Sequence, residues 1–588
     1  MGRNRALILS CAALAVALVA GLYIGTVQRK RQTPPAVATT EAVRSLPGHG
    51  GELVAAIPTD PAGFNRYAGV QRIDNIVELL ALLLQDKLVR VNRMTGVLEP
   101  RLAESWTRSD DALTYTLKLR QGVKFSDGAP FSSADVTFAF EAIRDPASAS
   151  PLAEAMTVRG KPIVVTATDP ATIVITFPEP FGPGLRILDN LPILPRHKLE
   201  AALRAGTLKD AWTLATPASD IVGAGPFRLT TYEPGIRFLL ERNPYFWRKD
   251  ANGAQLPYLD RLTLTIVRDQ NTEALRMEQG QIDVGAREIR PEDYGSFRQL
   301  QAQGRVVLAD AGISLDPNML WFNLAPNAYA GDPRKQWLQS EDFRKAISSA
   351  VDRQVLVDTV FLGEGVPIFG PVTPGARDWY TDDVPRYPYD PARTRSLLRE
   401  SLGFTDNDKD GMLEDRTGQP VRFSILTQQG ETIRMRSSSV IQEQLRRAGI
   451  AVDIVALDPP AIFERFGRGQ YDAIYYGVEA TSTDPANNQD FWLSSGGFHV
   501  WNPGQKTPAT PWEKHLDDLA HQQAAATDPA TRRRLYMEMQ QVFGEHVPIL
   551  YFAAPKLIVA LSPKVTNAQP VPVRPLVLWN AETLGVNR

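Results

Sequence analysis

The sequence predicts an α/β protein of more than one domain. Stretches with a helical apolar period alternate along the chain with stretches of strand period. The switch is visible inside "VIQEQLRRAGIAVDIVAL": a helix reaches a stop at Gly449, and Ile450, Val452 and Ile454 then alternate as in a strand. A chain of 588 residues, 43% of them hydrophobic, can build several cores. The formal charge of −2 offers no basic field for nucleic acid.

The N-terminal residues 1–48 stand apart from the fold. "MGRNR" is basic, residues 6–27 form an apolar run, and "QRKRQ" follows. The run is long enough to span a bilayer, so the segment is an export signal or a membrane anchor. Basic residues flank it on both sides, so charge does not set its orientation. Residues 32–48 read as a Pro/Thr/Ala tether. The only cysteine, Cys11, lies early in the apolar run, away from the place of a lipidated cysteine. Without that segment the chain has no cysteine, which excludes disulfides, thiolate catalysis and cysteine-ligated zinc.

"GELVAAIPTDPAGFN" opens the globular part as a strand and turn. In "LTYTLKLRQGVKFSDG", Tyr115, Leu117 and Leu119 alternate with Thr116 and Lys118, the pattern of a half-buried strand. A helix follows, with Ser132 and Asp135 as its capping box and Pro146 past its stop. "SEDFRKAISSAVDRQVLVDTV" puts Phe343, Ala346, Ile347, Ala350 and Val351 on one helical face. "PARTRSLLRESLGF" reads as another helix and "QPVRFSILTQ" as a strand.

Between those two lies "TDNDKDGMLED", beginning at Thr405. Asp406, Asp408 and Asp410 take alternate positions, Gly411 is sixth, the Met412 carbonyl seventh, and Glu414 follows. Calcium takes six to eight oxygens, and alternate loop residues point inward together. Thr417 stands where a calcium-sensor loop has its bidentate glutamate, and the flanks are helix and strand rather than two helices. The loop is therefore a structural calcium site or a solvated acidic turn.

No metalloprotease, nucleophile-elbow, phosphate-loop or dinucleotide motif occurs, and no two of the six histidines have zinc spacing. An enzyme reading has no positive feature. "YDAIYYGVEATSTDPANNQDFWLSSGGFHVWNPG" carries Tyr475, Tyr476, Phe491, Trp492, Phe498 and Trp501 among small polar residues. Tyr475 is expected in a core strand, and the loop after Gly477 suits the lining of a cleft.

"RLAESWTRSDDALTYTLKLRQGVKFSDGAPFSSADVTFAFEAI" resembles the most recognisable block of the family 5 extracellular solute-binding proteins, the peptide- and oligopeptide-binding components of ABC importers. "GAGPFRLTTYEPGIRFLLERNPYFW", "PYLDRLTLTIVRDQNTEALRMEQGQIDVG", "FRKAISSAVDRQVLV", "FGPVTP", "YDPARTRSLLRESLGF" and "EQLRRAGIAVDI" follow in the family's order, so the resemblance spans residues 50–560. It implies a type II periplasmic-binding-protein fold: two lobes that close on a ligand, with an extra domain on the N-terminal lobe. The base domain would take 49–74, 187–315 and 553–588, the extra domain 75–186, and the second lobe 316–552. The resemblance also implies a monomer without catalysis or functional cofactor, which captures a peptide-like or other polar solute and delivers it to ABC permease subunits in the membrane.

In peptide-binding members an aspartate of the cleft loop grips the ligand's α-amino group. Thr481 aligns there, with Glu479 and Asp484 nearby. A hydroxyl cannot neutralise a buried ammonium, so blocked or long peptides, oligosaccharides and other polar solutes enter as candidates. The facing loop of the first lobe runs from Gly69 to Asp74. The candidate ligand contacts are Gly69, Val70, Gln71, Arg72, Gly477, Val478, Glu479, Ala480, Thr481, Asp484 and Trp501. Two other readings remain: a membrane-tethered peptide receptor or chaperone without import, and a secreted hydrolase on the same scaffold.

Overall fold

The computed structural model describes residues 50–68, 75–477 and 484–587. The expected signal, anchor and tether lie outside these residues. No helix among the described residues is long and apolar enough to cross a membrane.

The first lobe carries two four-stranded sheets. In one, Glu52–Ile57 runs parallel to Arg261–Ile266, and Arg237–Arg242 and Phe227–Glu233 continue it antiparallel. The other is an antiparallel sheet of Ala103–Arg108, Thr114–Leu119, Thr172–Thr176 and Val164–Asp169. Tyr115, Leu117 and Leu119 are buried while Lys118 is exposed, as the alternation predicts. The helix Ser133–Arg144 covers this region, and both halves of the Ser132–Asp135 capping box form. Leu53, Leu117, Phe140 and Leu264 belong to one continuous core that joins the two sheets.

The C-terminal segment is tied back into this lobe by charge. Glu582 is buried, and its Oε1 accepts from Arg90 Nη1 at 2.7 Å, from Arg101 Nη1 at 2.9 Å and from Arg248 Nη1. Burial alone would push this carboxyl up; the three guanidinium groups override it and hold it far below the ordinary carboxylate range.

The second lobe is built on a five-stranded sheet. Its order is Ala451–Leu457, Arg422–Gln428, Ala473–Tyr476, Met319–Phe322 and Ile549–Tyr551, the first three parallel. Both faces are covered. Leu320, Phe322, Phe423 and Tyr475 pack on one side, under Phe343, Ile347 and Ile441. Met319, Trp321, Leu426 and Ile474 pack on the other, under Leu516, Met539 and Phe543. A strand buried on both faces loses polar alternation, which is why "MLWF" carries no strand period.

The helical face expected from Phe343 to Val351 is broken at its end. One helix spans Glu341–Ala350 and a second Arg353–Val360. Val351 is extended but still buried, and the Asp352 side chain caps the second helix by accepting the Gln354 N–H. The helix Thr432–Arg447 ends as the sequence indicates, with Gly449 at a φ of +86° that side chains rarely adopt.

Two pairings cross the domain edges expected from the sequence. Gly365–Pro367 pairs with Ala553–Leu561, which also pairs with Val307–Ile313. Pro192–Ile193 pairs with Asp86–Lys87.

Candidate functional site

A cavity of about 1370 Å³ lies between the lobes, lined by residues of both. It exceeds the roughly 300–1,000 Å³ of pockets that hold drug-sized ligands, so a solute of several residues or sugars has room. The floor is made by strand ends. Ile57 and Pro58 close the strand Glu52–Ile57, Gln428 closes Arg422–Gln428, and Gly477 follows Ala473–Tyr476. Ligands of open α/β sheets sit at these carboxyl ends.

Arg434 projects into the cavity from the first turn of the helix Thr432–Arg447. Its Nε donates to Asn318 Oδ1 at 2.9 Å, its Nη1 to Gln428 Oε1 and its Nη2 to the Gly477 carbonyl at 3.2 Å. The guanidinium carbon lies 3.9 Å from the Tyr476 ring centroid. Such stacking with three fixed acceptors sets the orientation of the planar group. On the first-lobe wall, Arg93 Nη1 donates to the carbonyls of Val573 and Arg574 at 3.3 and 2.5 Å. Burial pushes the Arg93 guanidinium down, although it faces the cavity. Arg574 pairs with Glu288 at 3.0 Å. Burial would raise the Glu288 carboxyl, but Arg574 overrides it and holds it below its ordinary value.

The lobes touch at the cavity rim. The Gly182 N–H donates to the Ala524 carbonyl at 2.6 Å. Arg186 Nε stands 3.8 Å from Asp484, and Arg436 Nη1 stands 3.8 Å from Glu292. Arg377 Nη1 donates to the Met94 carbonyl.

Gly477 and Asp484 line the cavity. Asp484 is buried and already engaged: Arg532 donates to it through Nη1 at 3.0 Å and Nη2 at 2.6 Å. It therefore has no unspent charge for a ligand's ammonium, contrary to the substitution considered from the sequence. Trp501 is a correction. It is fully buried in the second-lobe core, between Phe491 and Phe543, and its Nε1 donates to Glu513 Oε1 at 3.2 Å. The residues after it lead into the helix Pro511–Ala525, capped by Thr510. Gly69, Val70, Gln71, Arg72, Val478, Glu479, Ala480 and Thr481 lie outside the described residues.

In the acidic loop, Asp406, Asp408 and Asp410 each present a carboxylate oxygen within 4.8 Å of the others. Gly411 takes a φ of +91°, and the Met412 N–H donates to Asp410 Oδ1 at 2.7 Å. Glu414 departs from the expected set: its Oε2 accepts the Asn407 N–H at 2.8 Å, and its backbone bridges to Thr405. Asp415, which no spacing marked, fixes the loop to the core by accepting from Trp337 Nε1 at 3.1 Å and from the Thr417 N–H at 2.8 Å.

The cleft arginines escaped sequence reasoning because nothing local marks them. Arg93, Arg287 and Arg434 come from three distant segments.

The sequence matches a family of known proteins. The family model of bacterial extracellular solute-binding proteins, family 5, covers residues 97–499. The chain belongs to this family. A relative described as "Probable ABC transporter-binding protein" of Deinococcus radiodurans is 29% identical over 500 residues, covering 81% of this chain and 83% of that protein. The glutathione-binding protein GsiB of Escherichia coli strain K12 is 27% identical over 479 residues, 79% of this chain and 82% of its own. The crystal structure of the ABC transporter substrate-binding protein CtaP from Listeria monocytogenes superposes with a TM-score of 0.74 at 23% identity, over 92% of this chain and all of that one. That likeness shows the shared fold.

Proposed function

We propose that this protein is the extracytoplasmic capture component of an ABC importer. It binds a peptide-like or other polar solute in the cavity, closes its lobes on it, and hands it unaltered to membrane permease subunits. The carrying observation is the cavity itself: its walls come from both lobes, and the lobes meet at its rim through Gly182, Arg186 and Arg436. A ligand that touches both walls favours the closed form by its differential affinity for that form. Family membership and the name of the GsiB relative support peptide-like ligands, glutathione among the first to try. The N-terminal segment exports the chain to the periplasmic or extracellular face or anchors it in the membrane there, and the protein acts as a monomer. Three carboxylates in the loop 406–410, with the Met412 carbonyl, hold one structural calcium. Native mass spectrometry of the purified protein tests the first claim by finding a non-covalent solute. Its recovery with an unchanged mass after prolonged incubation supports capture without turnover, and a chemically altered product would overturn it.

A further inference from the structure

We propose that the captured solute is anionic, its acidic groups taken by Arg93 and Arg287 on the first lobe and Arg434 on the second. This rests on the solute-binding reading and narrows it to a substrate class.

Other cations of the cavity wall already have carboxylates: Lys87 pairs with Asp189 at 3.1 Å and Arg574 with Glu288 at 3.0 Å. Arg93, Arg287 and Arg434 have no ion-pair partner among the described residues, yet all three line the cavity and none is fully exposed. Arg93 and Arg434 are held only by neutral oxygens. Carbonyls orient a guanidinium but leave its charge, and burying an uncompensated charge is costly.

The wall's own carboxylates do not cancel this surplus. Glu154 and Asp490 are exposed to water. Glu431 Oε2 accepts the Arg434 backbone N–H at 2.7 Å and caps the helix. Against three guanidinium groups stand two half-buried carboxylates, Glu431, whose charge the backbone N–H leaves in place, and Asp316, which has a partner of its own, so the balance stays positive.

The guanidinium groups are also built to accept acids. Each carries five N–H donors in a planar fork that matches carboxylate and phosphate oxygens. Arg93 spends only Nη1 on the protein, and Arg287 spends none among the described residues. Because the three stand on both lobes, a solute with more than one acidic group bridges the walls and favours closure.

Calorimetry and small-angle scattering on the full exported chain test this with five probes: Glu-Glu-Glu, citrate, phosphoserine, Ala-Ala-Ala and Lys-Lys-Lys. The acidic arms separate peptide, polycarboxylate and phosphate sources of the same chemistry. At least one acidic probe is expected to bind below about 1 mM and compact the protein, with Ala-Ala-Ala and Lys-Lys-Lys weaker. Arg287→Gln is expected to weaken that probe about ten- to hundredfold, the size of a charged hydrogen bond, with an unchanged melting temperature. The melt check matters because Arg287 makes no side-chain hydrogen bond or ion pair among the described residues, while its charge still acts on the nearby Glu273 and Glu288. If no acidic probe binds, or Arg287→Gln binds the acidic probe as well as the parent, the inference is wrong. If Ala-Ala-Ala or Lys-Lys-Lys alone compacts the lobes, the anionic class falls while the solute-binding reading stands.

Discussion

Gly182 is where the account of closure can be tested by a single methyl group. Its backbone N–H reaches across to Ala524, and a Cβ placed on it would lie 2.4 Å from the Ala526 carbonyl oxygen and 2.4 Å from Arg532 Nε. The first obstacle is backbone and cannot swing away. The second holds Asp484 through two hydrogen bonds, so displacing it disturbs a buried pair. Overpacking of this kind costs about 1–3 kcal/mol. The contact exists only where the lobes meet, so the cost falls on the closed form and leaves the open form untouched. Gly182→Ala should therefore weaken binding of the co-purified solute by roughly 5- to 150-fold, and its scattering should show less compaction at equal occupancy. The control is Gly295→Ala, on the helix Tyr294–Ala302, where a Cβ meets nothing within 4 Å. An affinity for Gly182→Ala within twofold of the parent, with full compaction, would refute closure through this contact.

Three further expectations follow from the structure. Glu582→Gln leaves two buried guanidinium groups, Arg90 and Arg101, and the half-buried Arg248 without their shared carboxylate and should cost about 3–5 kcal/mol in denaturant unfolding; because the folded-state carboxyl is depressed, its contribution is present above the ordinary value of 4.5 and lost as pH falls below it toward the depressed one, so the variant should show a flatter acid limb, and an acid limb identical to the parent would contradict the assignment. Calcium should raise the melting temperature of the parent but not of Asp408→Ala, through mass action on the folded state; equal shifts, or none, in calcium and in EDTA would make the loop an acidic turn. Trp501→Ala should cost about 3–5 kcal/mol of stability as a core deletion, and a normal melt with abolished binding would return Trp501 to the cleft.

How far the sequence reached depended on whether a residue's role was local. The capping box at Ser132 and Asp135, the half-buried strand through Leu117 and the stop at Gly449 each depend on neighbours a few positions away, and each stands as read. Trp501 was misplaced because an aromatic residue among glycines and asparagines suits a binding loop and a core equally well. Its burial is decided by Phe543, on a helix far along the chain. Asp484 looked available for a ligand, but its charge is spent on Arg532, 48 residues away. The strand Met319–Phe322 has no alternation to read, since helices cover both faces of its sheet. Charge surplus in the cleft is a property of three guanidinium groups and the carboxylates they lack, and no window of sequence contains it.

The central claim is that this protein captures a solute by closing two lobes on it and releases it unaltered. Small-angle scattering on one preparation, stripped of its co-purified solute and then restored with it, tests that claim most directly. The account predicts a smaller radius of gyration on restoration and, by mass spectrometry of the same sample, a solute of unchanged mass. An unchanged radius at full occupancy, or a solute converted to product, would contradict it.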